Sequence, residues 1–177
     1  MSQEKGFVIR DCREEDLPEI TAIYADSVET GTASFELVAP DLEEMTTRRA
    51  NLLKGGYPYL VAEEEGKILG YAYAGAYRPR PAYGATVENS IYIRSDLRGR
   101  GVGSALLTAL IEAATARGFR QMIAVIGDSE NHASRALHAR AGFEHIGILR
   151  SVGWKHGRWL DSVLMQRSLG DGDTTSR

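Results

Sequence analysis

The sequence has a single cysteine, Cys12. A lone thiol excludes an intrachain disulfide and suits a reducing compartment, so the cytoplasm is the expected location. No apolar run approaches the roughly 18 residues of a membrane span. The opening stretch MSQEKGFVIRD lacks the apolar centre of a secretion signal. No membrane partner is therefore expected. An excess of positive charge is also missing: 24 acidic residues face 21 basic ones, for a net charge of -3. That balance speaks against nucleic acid as a partner. The histidines, His132, His138, His145 and His156, fall at no ligand spacing with cysteine or acidic residues, so no metal is expected. There is no internal repeat and no linker rich in Pro, Gly or Ser. Only the tail from Gly170 is small and polar, and it is expected to fray. Residues 1–169 then read as one domain of ordinary size with a real hydrophobic core.

What is present alternates strand and helix signals. Phe7–Cys12 reads as a short strand. Asp16 is placed to cap a helix with Pro18 in its first turn, and Leu17, Ile20, Ile23, Tyr24 and Val28 recur at helical spacing. Asp41 is placed to cap a second helix through Leu42, Met45, Arg49 and Leu52. Leu60–Glu64 and Ile68–Tyr77 read as a hairpin turning at Glu65-Gly66. The prolines of RPRPAYGA exclude regular structure, and TVENSIYI is a strand. Val102–Arg117 is a strong helix stopped by Gly118, QMIAVIG a buried strand, and Asn131–Ala141 a helix stopped by Gly142. Strands around Glu144–Val152 and Asp161–Arg167 complete an order β-α-α-β-β-β-α-β-α-β-β. Three consecutive strands exclude a purely parallel doubly wound sheet, so the expected class is α/β (α+β) with a mixed sheet.

The segment RSDLRGRGVGSALL, Arg94 to Leu107, carries the strongest chemical signal. Gly99, Gly101 and Gly103 let backbone N–H groups turn inward and let a ligand approach closely. The helix that follows adds free amides and a positive dipole end, and Arg98 and Arg100 add charge. The nucleotide P-loop is excluded because no lysine ends the segment. The dinucleotide fingerprint is excluded because Ser104 stands where its third glycine belongs, and because the segment is not in the first βα turn. A plain glycine turn that starts a helix is the remaining alternative.

YIRSDLRGRGVGSALLTALI resembles the acyl-CoA-binding signature of the GNAT N-acetyltransferases, with Arg98, Gly101 and Gly103 filling its fixed positions. A second block, NHASRALHARAGF, is similar to the family's Asn-x-x-Ala/Ser-x-x-Leu-Tyr-x-x-x-Gly-Phe segment, through Asn131, Ser134, Leu137, Gly142 and Phe143. The resemblance implies the family's splayed mixed sheet with helices on both faces, and acetyl-CoA as co-substrate. It implies that the pyrophosphate meets Arg98, Gly99, Arg100, Gly101, Val102, Gly103 and Ser104, with Asn131 nearby. It also implies that the backbone of Ile91, Tyr92 and Ile93 meets the acetyl carbonyl and the pantetheine arm, while their side chains pack in the sheet. His138 stands where the family has a tyrosine proposed as the acid for the leaving thiolate. A histidine suits that task near neutral pH, and a packed helix residue is the alternative.

ASFE, GYPYLVAEEEGKILGYAYAG, AYGATVENSIYI, AVIG and GWKHGRWLDSVLMQR together resemble the phosphinothricin and methionine sulfoximine branch of that family, from about Val8 to Leu169. The branch implies a homodimer and a small amino-acid substrate. Acetylating an amine needs a base, donors for the carbonyl oxygen and a proton for the thiolate. Glu88, in a strand otherwise short of charge, is the candidate base. Arg78 and Arg80 offer forked donors for a carboxylate or phosphinate, or form a solvated basic loop. Phe35, Tyr83, Asn89, Ser90 and Lys155 are the further substrate-side candidates, with Lys155-His156 alternatively an ordinary turn. A peptide N-terminal acetyltransferase and a non-catalytic acyl-CoA sensor are the competing functions.

Overall fold

The computed structural model describes residues 6–176; Met1–Lys5 of the export reading and Arg177 of the tail lie outside them. The element order is the one expected. Strand β1 is Val8–Asp11, helix α1 Leu17–Thr30, α2 Leu42–Lys54, β2 Tyr59–Glu64, β3 Lys67–Ala76 and β4 Thr86–Ile93. Then follow α3 Val102–Ala116, β5 Gln121–Gly127, α4 His132–Arg140, β6 Glu144–Lys155 and β7 Arg158–Ser168. The strands form one sheet in the order β1-β2-β3-β4-β5-β7-β6. All neighbours are antiparallel except β4 and β5, which α3 connects and which run parallel.

Both faces of the sheet are covered. Leu60, Ala62, Ala72, Ala74 and Val87 pack with Leu106, Leu107 and Leu110 of α3. Their neighbours Tyr59, Val61 and Tyr71 point the other way, onto Leu17, Ile20 and Val28 of α1 and Met45 of α2. Strict side-chain alternation in a strand therefore sends successive residues into different cores, which is why β2 and β3 read as near-continuous apolar runs. Tyr59, Tyr71, Tyr73 and Tyr92 stack on the α1/α2 face with centroid separations of 5.1 Å (Tyr59–Tyr73) and 5.4 Å (Tyr71–Tyr92). Each such pair adds roughly 0.5–1.5 kcal/mol beyond area burial.

Two local expectations are corrected. Asp16 does not cap α1 with its side chain. The strand β1 brings Arg10 beside it, and the buried carboxylate accepts from both terminal guanidinium nitrogens (2.7 and 2.8 Å) and from the Arg13 amide (2.7 Å). A charged donor satisfies a buried carboxylate better than one helix amide. Asp41 does cap α2, accepting from the Glu44 amide at 2.9 Å. The last two strands are longer than expected, because His156 and Gly157 both have positive φ (50° and 72°) and form a two-residue hairpin turn. The GWKHG segment is thus a tight turn. In the tail, residues 170–173 form turns, with Arg120 donating to the Gly172 carbonyl (3.1 Å) and to Thr175 (2.9 Å).

Candidate active site

The parallel pair β4–β5 is matched only from Thr86/Gln121 to Asn89/Ala124. Beyond that point β4 continues to Ile93 and β5 to Gly127, each held on its outer side alone, by β3 and β7. The two strands diverge, and a cavity of about 820 Å³ fills the gap. Ser90–Ile93 line it with an edge that no strand covers.

The glycine turn closes one end. Gly99 and Gly101 have φ of 85° and 80°, a conformation that side-chain-bearing residues rarely adopt. Gly101 stands at the N-terminus of α3, so the amides of Val102, Gly103 and Ser104 have no partner within the helix. Arg98, Gly99, Gly101, Val102, Gly103 and Ser104 all line the cavity. Three free amides and one guanidinium on a helix N-terminus fit a pyrophosphate.

The opposite wall is the segment Gly31–Phe35. It rests on the end of β5 because Gly127 has no side chain: a Cβ there would lie 2.5 Å from the Thr32 carbonyl oxygen and 2.9 Å from that of Ala33. Thr32 donates to Asp128 at 3.0 Å, Lys155 donates to the Ser34 carbonyl at 2.8 Å, and His156 reaches the Gly31 carbonyl at 3.1 Å. Asp128, buried and at φ 72°, also takes Arg158 at 2.6 Å. Thr32, Ser34, Gly127 and Asp128 were not singled out in the sequence. Their signal was the pair of short polar loops GTASFE and GDSEN, whose meeting across the fold no spacing reveals.

Glu88 and Asn89, adjacent on β4, serve opposite faces of the sheet. Glu88 is half-buried in the cavity. Burial pushes its carboxyl above the ordinary value, the charge of Arg78 opposes this, and no hydrogen bond contributes. His138, on α4, is 4% exposed. Its Nδ1 donates to the Ser134 carbonyl (2.8 Å), Nε2 lies 3.0 Å from Asn89 Oδ1, and Phe143 packs edge-on at 5.0 Å. Burial lowers its proton affinity, and the Ser134 carbonyl counters. Phe35, Ser90 and Asn131 also line the cavity, Asn131 capping α4 through the Ser134 amide (3.2 Å).

Five expected site residues do not line it. Arg100 turns away to fork onto Glu64 (2.7 and 3.1 Å). Lys155 is buried behind Ser34 rather than facing the cavity. Arg78 stacks on Tyr77 (5.1 Å), and Tyr83 packs edge-on against the same ring (5.7 Å). Arg80 is exposed just before the single turn Pro81–Tyr83. Arg78 still acts on the site through its charge at Glu88.

A glycine turn whose free amides fit a pyrophosphate and a carboxyl with no hydrogen-bond partner among the described residues face one gap between parallel strands, an arrangement of the acyl-transferase type. Residues 9–164 match the GNAT acetyltransferase domain family. The chain is 58% identical to phosphinothricin N-acetyltransferase of Alcaligenes faecalis, over 94% of this chain and 85% of that protein. It is 46% identical to the L-methionine sulfoximine/L-methionine sulfone acetyltransferase of Pseudomonas aeruginosa PAO1, over 91% and 94%. Among solved structures, a phosphinothricin acetyltransferase from Sinorhizobium meliloti in complex with acetyl-CoA superposes with a TM-score of 0.94 at 48% identity, over 97% of this chain and 92% of that one. The chain belongs to the GNAT acetyltransferase family and is an N-acetyltransferase.

Proposed function

We propose that the protein transfers the acetyl group of acetyl-CoA to the α-amine of a small amino-acid analogue of the phosphinothricin or methionine sulfoximine type. The observation that carries this reading is Glu88: a carboxyl with no hydrogen-bond partner among the described residues and a raised proton affinity, in the same cavity as the glycine turn. Acetyl-CoA, held at Arg98 and the amides of Gly99–Ser104, supplies a thioester-activated acetyl group. Glu88, directly or through one water, takes the proton that the amine sheds as it attacks. The uncovered edge of β4 offers backbone donors to the carbonyl oxygen, and His138 returns a proton to the thiolate. No covalent acyl-enzyme is required: Cys12 is buried in the α1/α2 core, and burial raises its thiol to about 11. Arg78, whose charge reaches Glu88, draws the substrate's anionic group to the mouth of the cavity.

We place the enzyme in the cytoplasm as a homodimer. The exposed Ile146, Leu149, Val152, Trp154 and Trp159 of the β6–β7 hairpin support a second copy packing there. Trp159→Glu is then expected to shift the mass measured by light scattering towards the monomer. The acceptor is tested by thiol release from acetyl-CoA against phosphinothricin, methionine sulfoximine, methionine sulfone, amino acids and short peptides. Turnover on the first three is expected; turnover on peptides alone refutes the assignment. Glu88→Gln is expected to lower kcat by about 10²–10⁴-fold, the usual contribution of a positioned base, with acetyl-CoA binding retained.

A further inference from the structure

The apex of the gap, where β4 and β5 part, holds a short polar chain in otherwise apolar surroundings. It runs from the Ser134 carbonyl to His138 Nδ1 (2.8 Å), from His138 Nε2 to Asn89 Oδ1 (3.0 Å), and from Asn89 Nδ2 to the Ile123 carbonyl (3.3 Å). Both ends are backbone carbonyls, which only accept. Three contacts therefore need three protons. The amide supplies one, whichever way it is turned. A neutral imidazole supplies one more, which leaves one contact with two lone pairs facing. The doubly protonated ring supplies two and satisfies the chain. The Ser134 hydroxyl, at 3.4 Å from Nδ1, is too far to replace the carbonyl at 2.8 Å.

We infer that Asn89 is a positioning residue for the acid: by presenting Oδ1 to Nε2, and being held to Ile123 while doing so, it favours the protonated form of the His138 ring. Loss of that proton leaves Oδ1 facing a lone pair. If the amide turns over instead, it surrenders Ile123. A hydrogen bond is lost on either route, and this opposes a burial that on balance lowers the ring's proton affinity. The charged groups of the neighbouring elements do not do this work. Glu88 projects from the other face of β4, Asp128 at the end of β5 is engaged with Arg158, and Arg167 of β7 donates to the Ala141 carbonyl. Arg140, two residues further along α4, is exposed to solvent.

This inference rests on the proposed role of His138, and its test is read first without turnover. The ring of His138 is titrated by NMR in the full-length protein with labelled histidine, the resonance being identified by its loss in His138→Gln. Asn89→Leu is expected to lower the midpoint by about one pH unit, the equivalent of one net hydrogen bond. Asn89→Asp, which offers a charged acceptor, is expected to raise it. The alkaline limb of kcat should move in the same directions. An unchanged midpoint in folded Asn89→Leu overturns the inference; if that variant does not fold, an unchanged midpoint in Asn89→Asp does so. If the midpoint moves but His138→Gln acetylates at the wild-type rate, Asn89's hold on the proton stands and the acid role of His138 falls.

Discussion

The substitution Gly127→Ala isolates the cavity wall Gly31–Phe35, which we assign to the amine. Gly127 has no positive φ, so alanine suits its backbone. The added methyl is the whole perturbation. It would stand 2.5 Å from the Thr32 carbonyl oxygen, 2.9 Å from that of Ala33 and 2.9 Å from the Phe35 ring, against ordinary contact from 3.4 Å. The Thr32 carbonyl must retreat by about 0.9 Å. It cannot slide freely, because Thr32, Ser34 and Gly31 are each tied to the β5–β7 side of the site. Overpacking of this kind costs about 1–3 kcal/mol of stability. Misplacement by about 1 Å costs on the order of 10²-fold in rate. The expected result is a fall of about 10²-fold in kcat/KM for the amine, with KM for acetyl-CoA unchanged, because the glycine turn lies at the other end of the cavity. The assay is thiol release with each substrate varied in turn. Gly147→Ala is the control: its Cβ meets nothing within 4 Å, and it should behave as wild type. A folded Gly127→Ala enzyme with wild-type kcat/KM for the amine would refute the reasoning.

Arg78→Ala is expected to raise KM for the amine. It also removes the charge that holds the Glu88 carboxyl down, so the acid limb of kcat/KM should move to higher pH. Arg98→Ala is expected to raise KM for acetyl-CoA more than Arg100→Ala, whose guanidinium is committed to Glu64. Burial pushes the Asp16 carboxyl up, but the Arg10 guanidinium and the Arg13 amide outweigh it and hold it below its ordinary value. Its contribution is therefore present above about pH 4, the unfolded value, and is lost as pH falls through the lower folded one. Asp16→Asn should cost about 2 kcal/mol in urea denaturation at pH 7, the scale of hydrogen bonds to a charged group, and flatten the acid side of the stability profile.

The element order, the helix stops at Gly118 and Gly142 and the α2 cap at Asp41 were legible because each depends on residues within a few positions. The glycine turn was legible for the same reason, since amides, dipole and arginine lie in one short run. What failed depended on partners far away in the chain. Arg100 resembles a phosphate ligand until Glu64, 36 residues earlier, is seen beside it. Lys155 resembles a substrate contact until the Ser34 carbonyl, 121 residues earlier, is found holding it. Asp16 had every local mark of an N-cap, and Arg10 on the adjoining strand drew it elsewhere. Long cationic side chains go to whichever carboxylate or carbonyl the fold brings within reach, and spacing does not record that.

The divergence of β4 and β5 has a consequence for descent. The donor's cradle is the root of a buried helix, α3, and can vary little without loosening the core. The wall Gly31–Phe35, which we assign to the acceptor, is a surface segment whose one large side chain, Phe35, is 37% exposed. Mutations there spend little of the stability margin that limits what a lineage can try. A family built this way can exchange one amine for another over generations while inheriting the same thioester unchanged.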